Sequence, residues 1–175
     1  VGNKMKKLIA ALVFFVGLSA QAGVISVELD DTNVKVGDTT QMTVSGTGFS
    51  PFQSLDIQIE FDTSLFSVDI DSVGGDLFDA LPVLFLVTEQ VYGVAVTFLD
   101  FFDFSASDFV VATFDLTAIS DGSTKFEIIK ADAGDFFGPI DASAGASVSA
   151  KVSAPATLGL FALAGLGLMG LRRKA

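Results

Sequence analysis

The residues able to do chemistry here are almost all oxygen donors or bare aromatic rings. Asp69-x-Asp71-x-x-Gly74-Gly75-Asp76 sets three carboxylates around a glycine-bearing connection, a donor set that suits calcium. The twelve-residue spacing of a helix-loop-helix calcium loop, with its closing Glu, is not there, so an acidic link between strands competes with the metal reading. Asp100-Phe101-Phe102-Asp103-Phe104 and Asp135-Phe136-Phe137-Gly138-Pro139 are the other unusual stretches. Neighbours on an extended chain point to opposite faces, so Phe101, Phe102 and Phe104 cannot all enter one core from a regular strand. At least one is expected to cover an edge or stand exposed, which makes Phe101, Phe102 and Phe104, with Tyr92, candidate ligand contacts. A loop folded back over a core is the competing arrangement, because Phe usually buries.

Catalysis has little to work with. The chain contains no His and no Cys, which removes the commonest general base, thiolate nucleophiles, zinc–thiolate sites and disulfides. Glu28, Glu60, Glu89 and Glu127 are its glutamates, and nothing in their spacing singles out an acid/base pair for glycoside hydrolysis. Ser-x-x-Lys, Gly-x-Ser-x-Gly and phosphate-loop motifs do not occur. No catalytic residue and no obligatory cofactor is assigned, and a non-enzymatic role is expected.

All 21 acids fall between Gly23 and Lys151, against Lys35, Lys125, Lys130 and Lys151, so this segment carries a net charge of −17. Such a surface repels phosphate backbones and argues against nucleic acid as a partner. It favours solubility in a salty or cation-rich medium. The many Phe, Val, Ile and Leu exclude a disordered acidic tail.

The elements that hold these residues read as strands. Period-2 alternation runs through Val24–Leu29, Thr40–Val44 and Leu55–Phe61. Further strands are predicted at Val83–Thr88, Tyr92–Leu99, Val110–Thr117, Lys125–Ile129 and Ala146–Val152, separated by Gly-, Asp- and Ser-rich turns. No stretch between the termini sustains a 3.6-residue period. Eight or nine short strands in one segment argue an all-β antiparallel sandwich over 23–151.

The two ends have a different character. Lys6 and Lys7 precede an apolar run from Leu8 to Leu18, followed by Ser19-Ala20-Gln21-Ala22. Basic, apolar and small-x-small parts in that order form a secretory signal peptide over 1–22, with Met5 as the expected initiator. Eleven apolar residues rise only about 16 Å as a helix, too short for a roughly 30 Å hydrocarbon core. A buried N-terminal helix would leave the lysines and the Ala20-x-Ala22 pair without a purpose. Cleavage after Ala22 would leave Gly23 first, and the expected partners are the Sec export machinery and signal peptidase.

At the other end, residues 156–171 are uncharged and Arg172-Arg173-Lys174 follows directly. A stretch of that length covers about 24 Å, at the thin end for a bilayer-spanning helix. The cations orient it with Arg172–Lys174 inside and the preceding segment outside. Val152-Ser153-Ala154-Pro155-Ala156-Thr157, then a Leu/Gly/Ala stretch and the basic tip, resembles the PEP-CTERM sorting signal of Gram-negative bacteria. The resemblance covers residues 152–175; Ser-Ala replaces the usual Pro-Glu, and Pro155 is kept. It implies recognition by an exosortase, an inner-membrane intermediate and delivery to a cell surface or extracellular matrix rich in exopolysaccharide. A plain single-pass anchor is the competing reading.

A second resemblance spans residues 24–130. Val34-Lys35-Val36-Gly37-Asp38-Thr39 opens a strand as cohesin-like domains do. Leu55-x-Ile57-x-Ile59-x-Phe61-Asp62-Thr63-Ser64-Leu65, then Gly75-Asp76-Leu77-Phe78 and Phe114-Asp115-Leu116-Thr117-Ala118, are similar to later stretches of that family, with Thr63 where Pro is usual. The resemblance implies a nine-stranded jelly-roll β-sandwich related to carbohydrate-binding modules. Its functional implications are polysaccharide binding through the sandwich face or the Phe loops, or a dockerin-type protein partner.

Overall fold

Along Phe52–Glu60 the side chains of Leu55, Ile57 and Ile59 are buried while Ser54, Asp56 and Gln58 face outward, as period 2 on a pleated strand requires. The computed structural model describes residues 22–80 and 85–154, with the side chains of 101 and 102 left out. Its strands are β1 (Gly23–Leu29), β2 (Asn33–Lys35), β3 (Thr39–Thr47), β4 (Phe52–Glu60), β5 (Phe66–Gly74) and β6 (Phe85–Gln90). They continue with β7 (Gly93–Phe104), β8 (Asp108–Ala118), β9 (Gly122–Asp135), β10 (Gly138–Ile140), β11 (Ala142–Ala144) and β12 (Val148–Ser153). A short helix, α1 (Asp76–Ala80), sinks Leu77 into the core. One sheet runs β11-β1-β3-β8-β5; the other runs β2-β12-β9-β4-β7-β6, with β10 beside β9. Most pairs are antiparallel, but β1–β11 and β2–β12 are parallel, which periodicity could not foretell.

Phenylalanine fills the space between the sheets from both ends. Phe52 packs against Phe49, Phe98, Phe104 and Phe109 with ring centroids 5.3–5.9 Å apart. At the opposite end Phe126 stacks on Phe61 at 4.8 Å and meets Phe66 edge-on. Such ring pairs contribute about 0.5–1.5 kcal/mol beyond the area they bury.

Several of these rings could not share one core on regular strands. Phe109 and Phe114 are five residues apart, yet both are buried. The β3–β8 register shifts between Val44 and Ser45, whose partners are Ala112 and Val110, so Val111 is an extra residue that resets the phase. A similar slip in β9 turns Ile129 outward and keeps both Phe126 and Ala133 inside. In β7 the register passes from Leu99 opposite Ser54 to Phe104 opposite Phe52, and the intervening bulge brings Phe104 onto Phe52. Phe104 is therefore a core-side residue, not the exposed contact expected of it.

The sandwich also extends beyond Lys151. Val152 pairs with Val34 and is only 2% exposed, and the Ser153 carbonyl accepts from the Val36 amide. Val152 and Ser153, expected at the head of the tail, are thus paired within the last strand of the sandwich. Because β12 runs antiparallel to β9, with Val152 beside Gly122, the chain leaves the fold at the start of β9. The far end of β9, at Asp135, lies about 40 Å away along an extended strand of that length.

On the outer face Asp56 and Asp132 are direct cross-strand partners, an unfavourable like-charge pair. Lys130 joins them, its Nζ 2.5 Å from Asp56 and 3.3 Å from Asp132. The hydrogen bond to Asp56, then that to Asp132, holds the Lys130 ammonium above the usual lysine range. Its stabilising contribution is therefore complete below the unfolded lysine value and fades as pH rises through the raised folded one.

Both features bear on stability. A fragment ending at Lys151 should be less stable by about 2 kcal/mol than one ending at Ser153, for loss of the buried Val152, in chemical denaturation. Lys130→Met should lower stability at low ionic strength, with the deficit shrinking as salt is added; a deficit indifferent to salt would exclude the charge explanation.

Candidate functional site: the aromatic hairpin at one pole

β9 turns into β10 through Phe136 and Phe137, with Asp135 paired to Gly138. The turn is built by Asp135, whose Oδ1 accepts from the amides of Phe137 (2.7 Å) and Gly138 (2.9 Å). Gly138 takes φ +150°, so neither Phe needs a positive φ. The two rings are left standing in solvent, 83% and 93% exposed, meeting edge-to-face at 5.9 Å. The other phenylalanines among the described residues are buried or half-buried, so this pair stands apart from them.

Beside the rings lies a groove of about 530 Å³, lined by Ser50, Pro51, Gln53, Asp103, Asp135, Phe136, Phe137 and Ile140. It mixes an apolar floor with carboxylates and small polar groups, a lining suited to binding rather than bond-making. Its surroundings are acidic: Asp103, Asp108 and Asp141 are exposed at this pole. The four lysines among the described residues lie elsewhere. Lys35 and Lys151 sit beside β12 and β2 at the tail end, while Lys125 and Lys130 are further back along β9.

The other residues singled out by sequence are dispersed. Asp69 and Asp71 belong to edge strand β5, and the Asp69 carboxylate accepts from the Asp71 amide at 3.0 Å. Asp76 opens α1 and accepts from the Val110 amide at 2.7 Å. The proposed calcium loop thus runs from a bulged strand into α1, and the Asp69 and Asp76 carboxylates accept from different backbone amides. Among the described residues no cluster of three or more His, Cys, Asp or Glu could hold a metal ion. Tyr92 lies in the β6–β7 turn at the tail pole, where its carbonyl accepts from the Phe61 amide, far from the hairpin. The side chains of Phe101 and Phe102 lie outside the described residues. Of the aromatics expected in 100–104, Phe104 packs against the core; the hairpin at 136–137 carries two exposed rings, and its Asp-Phe-Phe-Gly-Pro signal was a turn sequence bearing two rings it could not bury.

A smaller cleft of about 320 Å³ at the tail pole is lined by Glu60, Phe61, Asp62, Thr124, Lys125 and Glu127. Glu60 and Glu127 are cross-strand partners there, and Glu127 is paired with Lys125 at 2.8 Å. Asp62 is used by its own turn: the Ser64 hydroxyl and amide both donate to its Oδ1, which holds its carboxyl below the usual aspartate range. Glu28 and Glu89 stand on other strands.

A fold of this geometry superposes on solved structures. The sixth cohesin of scaffoldin B from Acetivibrio cellulolyticus, in complex with a mutant dockerin, superposes with a TM-score of 0.62 at 17% identity, over 76% of this chain and 100% of that one. The cohesin module of a family 33 glycoside hydrolase from Clostridium perfringens gives 0.60 at 13%, over 77% and 98%. A cohesin from a type I cohesin–dockerin complex of Clostridium thermocellum gives 0.61 at 14%, over 75% and 95%. This is a cohesin-like β-sandwich. At such identities the likeness is one of fold. No protein-family profile matches the sequence, and no curated protein matches it. Val34, buried in β2, the alternating Leu55, Ile57 and Ile59, and Leu77 in α1 are the residues through which the cohesin-like pattern was legible.

Replacing Phe136 and Phe137 together by Ala should change stability by less than about 0.5 kcal/mol, because neither ring is buried. Asp135→Ala should cost about 1 kcal/mol by orphaning two amides, and Asp135→Asn should recover most of it. A large loss on removing the two rings would mean that they support the fold.

Proposed function

We propose that this chain is an exported, non-enzymatic binding module, sorted through its C-terminal tail to the cell surface or an exopolysaccharide-rich matrix, where its sandwich docks a protein partner. The observation that carries the binding role is the Phe136–Phe137 hairpin, two almost fully exposed rings beside a groove on a domain whose other described phenylalanines are buried or half-buried. Cohesins of like fold have been solved in complexes with dockerins, which favours a protein over a sugar as the partner. The aromatic chemistry supports the same choice. Sugar platforms generally use rings with a polar handle; the chain has no Trp, and its one Tyr is at the opposite pole.

The export reading rests on the leader and the tail, which lie outside the described residues except for Ala22, Gly23 and Val152–Ala154. Among the described residues no helix is long and apolar enough to cross a membrane. The described part is compatible with tail anchoring in one respect: the fold ends at Ser153, the pole away from the hairpin, so a chain held by its tail would present the hairpin outward. Pro155, lacking an N–H and biasing Ala154 away from helix, separates β12 from the apolar stretch at 156–171. Glycines at 159, 165, 167 and 170 weaken a permanent anchor, each by about 1 kcal/mol of helix stability, and suit a segment that is recognised and cut.

The exported protein should begin at Gly23 and lack Arg172–Lys174 by mass spectrometry. Pro155→Leu, or Arg172→Ala with Arg173→Ala, should leave full-length protein in the inner membrane. An intact basic tip on the mature surface form would reduce the tail to an anchor. A glycan array on the same protein tests the partner class: saturable sugar binding abolished by loss of Phe136 and Phe137 would turn the hairpin into a carbohydrate site.

A further inference from the structure

The hairpin's charge setting narrows the partner, on the premise that the hairpin is the contact site. Two rings and the Ile140 side of the groove offer apolar contact, and Asp103 and Asp135 stand among the same lining residues. Around them the pole carries Asp108 and Asp141 as well, with every described lysine placed away from it. The whole segment carries −17. Two of the domain's four lysines are occupied on the flank, Lys125 by Glu127 and Lys130 by Asp56 and Asp132, so they do not soften the field at the tip.

A neutral apolar partner would gain only ring contact here, and an anionic one would meet uncompensated carboxylates at close range. A lipid bilayer of ordinary anionic character is disfavoured by the same sign. A segment carrying Lys or Arg next to Leu, Ile or Met would satisfy both features: its apolar side chain against Phe136 and Phe137, its cation towards Asp103 and Asp135. We infer that the Phe136–Phe137 groove is a docking site for a cationic, apolar peptide segment of a protein partner. Steering by the acidic pole would raise the on-rate and make binding salt-dependent, while the rings would set the residence time.

The test uses the full chain in phosphatidylcholine nanodiscs, whose neutral surface attracts neither charge. The probes are fluorescent peptides alternating Leu with Lys, with Ser or with Glu, followed by anisotropy. The Lys/Leu peptide should bind about tenfold or more tightly than the Ser/Leu peptide, and the Glu/Leu peptide weakest. Phe136→Ser with Phe137→Ser should weaken the Lys/Leu peptide about tenfold or more. Asp103→Asn with Asp135→Asn should lower affinity and flatten its salt dependence, since an asparagine side-chain oxygen still accepts the turn amides. Asp30→Asn with Asp31→Asn, at the tail pole, should leave binding within about twofold, as a charge change beyond the screening length.

Equal binding of the Ser/Leu or Glu/Leu peptide, still lost with the two rings, would overturn the cationic assignment while leaving the hairpin a contact site. Unchanged binding in the Phe136→Ser, Phe137→Ser variant would overturn the hairpin itself. An equal loss in the Asp30, Asp31 variant would reduce the effect to net charge. Ring-dependent capture of phosphatidylcholine vesicles without peptide binding would reassign the hairpin to a lipid surface.

Discussion

Phe52 is fully buried and sits where both sheets and two bulged strands meet, against Phe49, Phe98, Phe104 and Phe109. With no cysteine to cross-link the layers, this interior is what keeps the sheets together. The rings are too large and too irregularly spaced to be buried by regular strands. The bulges at Val111 in β8 and between Leu99 and Phe104 in β7 are the accommodation. Each gives up local ladder pairing so that a ring reaches the core, and burial of a Phe at about 1.5–3 kcal/mol outweighs a net backbone hydrogen bond at about 1. The hairpin depends on the same packing, because pairing with β4 carries β9 as far as Gly134, next to the turn.

Close approach at the backbone fixes the geometry elsewhere. Gly93, φ +147°, follows the β6–β7 turn, and a Cβ there would lie 2.1 Å from the Ile59 carbonyl oxygen. Only glycine lets β7 start against β4 at that distance, and this is the contact that keeps Tyr92 and its turn at the tail pole. The result is a domain with two unlike ends. One gathers the chain exit, most of the lysines and an Asx-turned Asp62; the other gathers carboxylates and two bare rings.

That polarity links the fold to the proposed role. A binding module held by one end must present its contact surface at the other, and the antiparallel relation of β12 to β9 produces this without any further device. The strongly acidic surface opposes contact between copies through the exposed rings, since like-charged surfaces repel.

Period-2 patterns of Val, Ile, Leu and Phe against Ser, Thr, Asp and Gln determined the strand class by themselves, because alternation is a property of one strand and needs no partner. The cohesin-like pattern was legible for the same reason: its residues are core positions of consecutive strands. Net charge, and the lack of His and Cys, likewise follow from composition. Tertiary structure alone decided the rest. Sequence offered Phe104 as a candidate contact, but the bulge between Leu99 and Phe104 turns its ring onto Phe52, and a bulge is a relation between two strands. Asp69, Asp71 and Asp76 looked like one ligand set because they are close in sequence; in the fold the carboxylates of Asp69 and Asp76 each satisfy a different backbone amide. The last strand, predicted at Ala146–Val152, runs Val148–Ser153 and gains in β2 a parallel partner that only the fold supplies, Val34 beside Val152. Pairing between distant segments is set by the burial it permits, and no local pattern encodes it.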